Sequence, residues 1–522
     1  HYHCELESLD SDVLNRLKQE NIHVVQDGSF LAVAASQEYQ AVKAARRLSL
    51  AAKWKSVKQL SEENMYSQLT SNNKDSFFVE KGCIPSATRE IPELEQMDED
   101  ENKTISATFR KPYHMHASIG PSAGCASFDG DALIVWTHNQ GVYPLRAAIT
   151  EAFDMATDNV TVQFVPGSGV YGHNGADDAA FDAAIIARHI RGHPILLKWT
   201  RDDEHSWEPY GSAMQCEIQA SIDKNGKISS WSHETFADTF LARPITGKQP
   251  ATRMVSAHYI EDALPWPIAE PMMVPHGGIH RNMEMLYEMP EPRLVKNRVY
   301  DLPLRTSALR TLGAYGNVFA NESMINELAE SANIDPFNFR LNHLKDERAI
   351  AVLVKLQQVM EDNSRDEEQF GYGIGFARYK NSAAYCAIGV CLSVNEAAEV
   401  KLHDAYIVCD AGEIVDAEGV RAQLEGGFIQ AASWTLYEQV LYERDGIVSR
   451  DWDTYPIITF DNIPQMHTHL IVNPGMPYLG AGEGAAGPTA AAIGNALKEA
   501  TGLRVREMPF NPDRIMAAAL EE

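Results

Sequence analysis

Long apolar runs are absent from this sequence. No stretch approaches the ~18 residues that a membrane-spanning helix requires, and no basic segment leads into an apolar one as in a secretory signal. The chain opens with His1-Tyr2-His3-Cys4 and has no initiator methionine; this reads as a processed product or a fragment and leaves the compartment open. Positive charge is scarce too: 45 Lys and Arg stand against 72 Asp and Glu, a formal net charge of -27. Phosphate contacts need basic surface, so neither a nucleic acid nor an anionic membrane is an expected partner. Cysteine is sparse. The seven (Cys4, Cys83, Cys125, Cys216, Cys386, Cys391 and Cys409) are scattered and odd in number, which argues against a disulfide framework. No C-x-x-C-H haem attachment site is present, and no grouping of thiolates suits an iron–sulfur cluster. Each cysteine reads as a small core residue.

What is present is the composition of a globular chain. Of 522 residues, 44% are apolar and 22% charged, a balance that fits several domains around a large core. Val24-Val25, the turn pair Asp27-Gly28 and the run Ser29 to Ala34 predict two short strands about a turn. Ser36 then caps an expected helix with Tyr39, Val42, Ala45 and Leu48 on its apolar face. Residues 61–104 are polar, with the acidic run Glu93, Glu95, Asp98, Glu99, Asp100 and Glu101, and read as a linker over the surface. Beyond Ile105 strands and helices alternate. Ala132 to Trp136 is a strand; Leu145, Ala148, Ile149, Ala152 and Phe153 form a helical stripe. Val160, Val162 and Phe164 mark a strand, Ala179 to Ile190 a helix, and Ile195 to Trp199 a strand. Asn321 to Leu344 look helical, and a second α/β region runs from about Gly371 to Pro512. The expected fold class is mixed α/β (α+β). Residues 1–60 form part of a small α/β unit, 61–104 an acidic linker, and 105–345 and 346–522 two large domains.

Four segments carry the chemistry. Pro166 to Gly175 joins an expected strand to an expected helix; its glycines admit close backbone approach, and the helix N-terminus favours an anion. A tight turn is the equally good bland reading, because the glycines are not in dinucleotide-binding register. Arg305 to Gly316 holds Arg305 and Arg310 among small residues, which suits a phosphate or oxyanion or, equally, a surface salt bridge. Gln423 to Gln430 places an amide beside Gly426 and Gly427; it reads as well as a helix start. Gly480 to Pro488 carries one carboxylate, Glu483, in a run with no cation and little polarity. Desolvation there would raise its pKa toward neutrality, as a general base requires, and a carboxylate helping a helix dipole is the alternative. Together the four point to a large, extended, anionic cofactor clasped by loops from two domains. His114 and His116 would share a strand face without a third ligand, a poor zinc site. His173, His276 and His280 read as loop hydrogen-bonders.

In this order, the segments resemble the molybdenum-binding subunit of the xanthine dehydrogenase and aldehyde oxidase superfamily. The branch they resemble is that of isoquinoline oxidoreductase beta and nicotinate dehydrogenase large subunits. The carrying residues are Trp136 to Arg146, the Gly167–Asp178 loop, Arg305 to Glu322, Gln423 to Gln430, Gly480 to Pro488 and the ending Thr501 to Pro509. The resemblance runs from about residue 24 to the end. It implies two large molybdenum-cofactor-binding domains preceded by the remnant of a small hammerhead-type domain. It also implies molybdenum held by a pterin dithiolene, as molybdopterin cytosine dinucleotide, with no protein ligand to the metal. Gln140 matches the glutamine beside the metal. Gly169, Val170, Tyr171 and Gly172 match the neighbouring loop, where Tyr171 replaces the usual Phe and His173 follows Gly172. Arg310 matches an arginine near the metal, Gln423, Gly426 and Gly427 a pterin-contacting segment, Gly482 the cofactor loop and Glu483 the base.

The activity so implied is hydroxylation: water-derived oxygen enters an electron-poor carbon of an N-heterocycle or aldehyde, with Glu483 taking a proton and the metal two electrons. An aldehyde-specific dehydrogenase on the same scaffold and a non-catalytic cofactor-binding or assembly chain are the other readings; Glu483 weighs against the last. The sequence has no flavin, haem or cluster motif, so the resemblance implies a small partner subunit with [2Fe-2S] clusters and a cytochrome c as acceptor, in bacterial cytoplasm or periplasm.

Overall fold

A computed structural model describes residues 3–95, 97–98, 101–267, 270–365 and 369–521. Glu99 and Asp100 of the acidic run lie outside the described residues. The N-terminal unit runs strand, helix, strand, strand, helix, strand: Cys4–Leu9, Ser11–Gln19, His23–Asp27, Phe30–Ala34, Glu38–Ala51 and Ala52–Ser56. The expected hairpin is there, with His23–Asp27 antiparallel to Phe30–Ala34 and Gly28 in the left-handed region at φ 57°. The helix after it differs from expectation. It starts at Glu38 behind an uncapping Gln37 rather than at Ser36. Its buried face is Ala44 and Leu48, which close on Leu17 and Ile22, whereas Tyr39 and Val42 are exposed. The first helix, Ser11–Gln19, supplies Leu17 and thereby selects which side of the second helix is covered.

The 61–104 segment is not simply a linker. It contains the helix Met65–Ser71, whose first amides are held by the Asn64 side chain, and the strand Lys74–Glu80. That strand pairs with Arg293–Val299, more than 200 residues later, and buries Phe78 and Val79. A polar strand whose partner lies so far along the chain gives little local signal. It belongs to a six-stranded sheet ordered Ile84–Pro85, Lys74–Glu80, Arg293–Val299, Ile228–Ala237, Met214–Asp223, Asn102–Lys111.

Two four-stranded sheets present the loops of interest. The first is ordered Val160–Phe164, Leu133–Thr137, Ala123–Phe128, Ile195–Lys198. The helix Ala176–His189 covers it, so closely that a Cβ at Gly124 would lie 2.5 Å from the Ala180 Cα. The second is ordered Gly371–Arg378, Tyr385–Val394, Val400–Asp410, Gln465–Ile471. Its covering helix, Ala486–Thr501, ends at Gly502 in the left-handed region. Gly371, Gly373 and Gly375 alternate along the first strand of this sheet. On one face they form a groove for that helix: a Cβ at Gly373 would stand 2.1 Å from the Ala496 amide nitrogen. The helical stretch expected at Asn321 to Leu344 is two helices, Ala314–Ala332 and Pro336–Asn342, broken where Asn333 turns left-handed. Ala314–Ala332 is buried nearly all round, as a helix between two layers must be. Phe319 meets Phe109 of the six-stranded sheet, and Val318 faces Gly487 of the helix that covers the second four-stranded sheet. One apolar core therefore runs through both halves of the chain.

Five cysteines are buried, and all seven are free thiols. Replacing Gly373 by Ala forces a methyl group into the helix backbone. Overpacking of this kind costs about 1–3 kcal/mol, so G373A is expected to lower the urea midpoint at unchanged slope. Buried ionisable groups set the pH range. Burial, with Glu208 adding to it, pushes Glu204 up to about 7, and burial pushes Glu438 up to about 8. Their stabilising contribution is full in acid and is lost as pH rises through those values. Burial lowers His205 and His233 to about 4, so their contribution is present above the ordinary histidine range and falls away as pH drops toward 4. The melting temperature, scanned across pH, should therefore show a broad maximum at about pH 5–6, between the two sets of groups, and decline on both sides.

Candidate active site

Strand ends and helix starts bring four loops together. The loop 165–175 leaves the strand Val160–Phe164 and enters the helix Ala176–His189. Tyr171 takes φ 50° and Gly172 φ 128°. A Cβ at Gly172 would lie 1.9 Å from the Ala308 carbonyl oxygen, so only glycine lets this loop lie flat on residues 308–310. There the His173 N–H donates to the Ala308 carbonyl at 2.8 Å, and the Arg310 N–H to the Tyr171 carbonyl at 2.8 Å. The Tyr171 ring folds back over Gly169, where a Cβ would meet its Cζ at 2.6 Å. Val170 is buried and Tyr171 is 36% exposed. Ser118 donates to the Gly169 carbonyl and anchors the near end.

The neighbouring loop, 138–141, precedes the helix Val142–Ala152. His138 packs on Gly167, and its Nδ1 lies 3.3 Å from the Ser168 carbonyl oxygen. Asn139 donates to Asp177 at 2.7 Å; Asp177 also faces His173 Nε2 at 3.2 Å. His173 Nδ1 lies 2.9 Å from the Ser307 hydroxyl. Burial would raise the Asp177 carboxyl, but His173 and Asn139 together hold it below its ordinary value. This buried web ties the first two loops to the 305–313 segment. Gln140, on the same loop, is exposed.

Arg310 joins the halves of the chain. Its Nε donates to the Gly482 carbonyl at 2.8 Å, Nη2 to the Gln423 carbonyl at 2.9 Å and Nη1 to Gln430 Oε1 at 3.3 Å. Gly427 makes room for it: a Cβ there would lie 3.2 Å from Nη2. Arg310, expected to suit a phosphate or oxyanion or, equally, a salt bridge, thus donates to three acceptors of the protein itself. Arg305 likewise pairs with Asp178 at 2.7 Å. The Gln423 to Gln430 segment, which also read as a helix start, is the interior of the helix Ala417–Leu436, capped by Asp416. One face of that helix, with Gln423 and Gly426, is exposed.

Glu483 lies in the turn before the helix Ala486–Thr501. One of its oxygens accepts the Thr311 N–H at 2.7 Å, one residue beyond the amide bound to the Tyr171 carbonyl. The expectation that it stands among no cations is overturned, because neighbours distant in sequence supply them. Burial lowers the Arg310 guanidinium while Glu483, most strongly among its neighbours, opposes that shift. Burial lowers Lys380, again opposed by Glu483. Burial and then Glu483 push the Tyr379 hydroxyl well up. Tyr379, Lys380 and Arg281 escaped the sequence reading because nothing in their spacing marks them. His114 and His116 lie outside any strand: His114 stacks on Trp434, and His116 contacts Glu208 at 3.1 Å. His280 Nε2 lies 2.8 Å from the Val274 carbonyl oxygen. Among the described residues no three His, Cys, Asp or Glu side chains are placed to hold a metal ion. Gly426 and Gly480 have open space where a Cβ would stand, and a Cβ at Gly482 would lie 3.5 Å from the Gln423 side-chain oxygen.

Two family models, each described as a molybdopterin cofactor-binding domain, match residues 87–257 and 320–464, together more than half of the chain. Among known proteins, a nicotinate dehydrogenase chain of Pseudomonas putida is 32% identical over 521 residues, 95% of this chain and 41% of the relative. The beta chain of isoquinoline 1-oxidoreductase from Brevundimonas diminuta is 27% identical over 365 residues, 69% of this chain and 43% of the relative. The fold matches quinoline 2-oxidoreductase from Pseudomonas putida 86 with a TM-score of 0.79 at 12% identity, covering 99% of this chain and 93% of that one. The chain belongs to the molybdenum-binding large subunits of the xanthine dehydrogenase and aldehyde oxidase superfamily. It spans less than half the length of these two curated relatives. No helix among the described residues is long and apolar enough to cross a membrane.

Because one guanidinium ties the Gly482 carbonyl to the Gln423 helix, Arg310→Leu should free the Glu483 loop. Removing hydrogen bonds to a charged group costs ~1–3 kcal/mol. Hydrogen exchange in a peptide covering 480–486 should then quicken about tenfold or more, while a peptide covering the strand Met214–Asp223 keeps its rate.

Proposed function

We propose that this chain holds molybdopterin and is the catalytic portion of a hydroxylase that inserts water-derived oxygen at an electron-poor carbon of an N-heterocycle. The observation that carries this reading is the place of Glu483. Its carboxylate accepts the amide next to Arg310, and the Arg310 amide in turn binds the Tyr171 loop, so the expected base adjoins one of the expected cofactor loops. The names of two relatives, nicotinate dehydrogenase and isoquinoline 1-oxidoreductase, support a nitrogen heterocycle; an aldehyde, named for relatives 21% and 26% identical, is the second reading.

When bound, the molybdenum of molybdopterin supplies the two-electron redox chemistry. The protein's part is binding, orientation and proton transfer. The Gln140 and Gln423 amides would hold the cofactor, with Gly169, Val170, Tyr171 and Gly172 on one side and Gly426, Gly427 and Gly482 on the other. Arg310 keeps the two sides in register. Glu483 accepts a proton from the attacking oxygen. Tyr171 walls the substrate side, where its ring excludes water. We further propose the cytosine dinucleotide form of the cofactor, a small [2Fe-2S] partner subunit that removes the electrons, and a cytochrome c beyond it. Residues 105–345 and 346–522 serve as the two cofactor-binding domains, with the N-terminal unit as a hammerhead-type domain.

The test is Glu483→Gln in the assembled enzyme. Loss of a positioned base costs about 10²–10⁴-fold in rate, so kcat for the N-heterocycle should fall by that factor. Molybdenum by mass spectrometry and pterin by fluorescence should stay at wild-type content. Retained turnover would refute Glu483 as the base, and a wild-type protein purified with neither metal nor pterin would refute the cofactor.

A further inference from the structure

Beside Glu483 lies a buried cation that does not touch it. Arg281 is 8% exposed. Its Nε donates to the His276 carbonyl at 2.9 Å, and its Nη1 to the Tyr379 hydroxyl at 2.6 Å. Tyr379 is 6% exposed; its oxygen is occupied as an acceptor, so its single hydroxyl hydrogen is left to point onward. The group that acts on it most strongly after burial is the Glu483 carboxylate, and backbone bonds set the two segments side by side: the Tyr379 N–H donates to the Ala384 carbonyl at 3.1 Å, and the Ala384 N–H to the Gly480 carbonyl at 3.2 Å. The backbone around Tyr379 is fixed from the same side. Lys380 and Asn381 both take left-handed φ values, a strained pair that is pinned by three bonds. The Lys380 N–H donates to Asn282 Oδ1 at 2.9 Å, Asn282 Nδ2 to the Arg378 carbonyl at 2.8 Å, and Asn381 Nδ2 to the Glu284 carbonyl at 3.0 Å. Such strain persists only where the surroundings over-determine it. Lys380 Nζ lies 5.3 Å from the centre of the Tyr379 ring.

We propose that Tyr379, aimed by Arg281, is a positioning residue for Glu483: its hydroxyl and the Thr311 amide fix the carboxylate in one orientation, while the phenol keeps the guanidinium from pairing with it directly. The physical logic has two parts. A carboxylate held by two donors from different loops loses its rotational freedom before the reaction, and a misplacement of about 1 Å can cost 10²-fold. A direct Arg–carboxylate bond is charge-assisted and about twice as strong as a neutral one, and would oppose proton uptake. A neutral phenol polarised by a cation orients the base with less opposition. This inference rests on the reading of Glu483 as the base.

Two measurements test it. In the assembled enzyme, Tyr379→Phe should lower kcat about 10- to 100-fold, with KM within about twofold and metal and pterin content unchanged, since the phenol touches the base rather than the substrate. Separately, 3-fluorotyrosine placed at position 379 reports its own hydrogen bonding by fluorine NMR, with or without cofactor. Its resonance should shift on Glu483→Gln and again on Arg281→Lys. A wild-type kcat in Tyr379→Phe, or a resonance indifferent to Glu483→Gln, overturns the proposal. If Glu483→Gln keeps full turnover while the resonance shifts, the pair exists but the base assignment fails, and the positioning role fails with it.

Discussion

The site depends on Arg310 reaching across the chain. A guanidinium presents five N–H donors in a rigid plane, and this one donates to acceptors in the helix Ala417–Leu436 and in the Glu483 loop. Its backbone amide binds the Tyr171 carbonyl. The next residue, Thr311, presents its amide to Glu483. Two consecutive peptide units and one side chain thus join stretches of sequence that lie far apart along the chain. The partly buried setting makes those bonds stronger and their loss costlier than in water. A lysine cannot replace this, because a point charge lacks the fork.

Close approach of backbone to backbone is the second constraint. The Tyr171 loop lies on residues 308–310 because Gly172 has no Cβ. The helix behind Glu483 sits on its sheet because Gly371, Gly373 and Gly375 leave a groove. Packing at this range leaves no void and no slack. It fixes the height of the Glu483 turn above the sheet, and the same helix meets Ala314–Ala332, whose N-terminal lead-in carries Arg310 and Thr311. Core and site are therefore one mechanical unit. A change in the glycine groove is felt at the carboxylate without touching it.

Electrostatics around Glu483 are graded. Arg310 and Lys380 attract it through space, the Thr311 amide binds it, and Arg281 is held one phenol away. A base needs its ionised form supported, but not so strongly that it refuses a proton. In the proposed role, Glu483 has the Thr311 amide at 2.7 Å for that support, while the full charges act through space.

The sequence determined the parts that depend on local pattern. The strand through Leu133–Thr137, the helix through Leu145, Ala148 and Ile149, and the helix ending at Gly502 follow from periodicity and stop signals. The loops at 166–175 and 480–485 were legible because runs of glycine are rare inside regular structure. Glu483 stood out as the one carboxylate in such a run. Only the tertiary structure decided what surrounds it. The polar strand Lys74–Glu80 finds its partner more than 200 residues away; the glycines at 426 and 427 sit inside a helix, where one clears space for Arg310; and Tyr379 gains its meaning from Arg281 and Glu483, both remote from it in sequence. Hydrogen bonds and charge act over a few ångströms in space, while sequence patterns record only neighbours along the chain. The counter-charges of the carboxylate could not be read from its own loop.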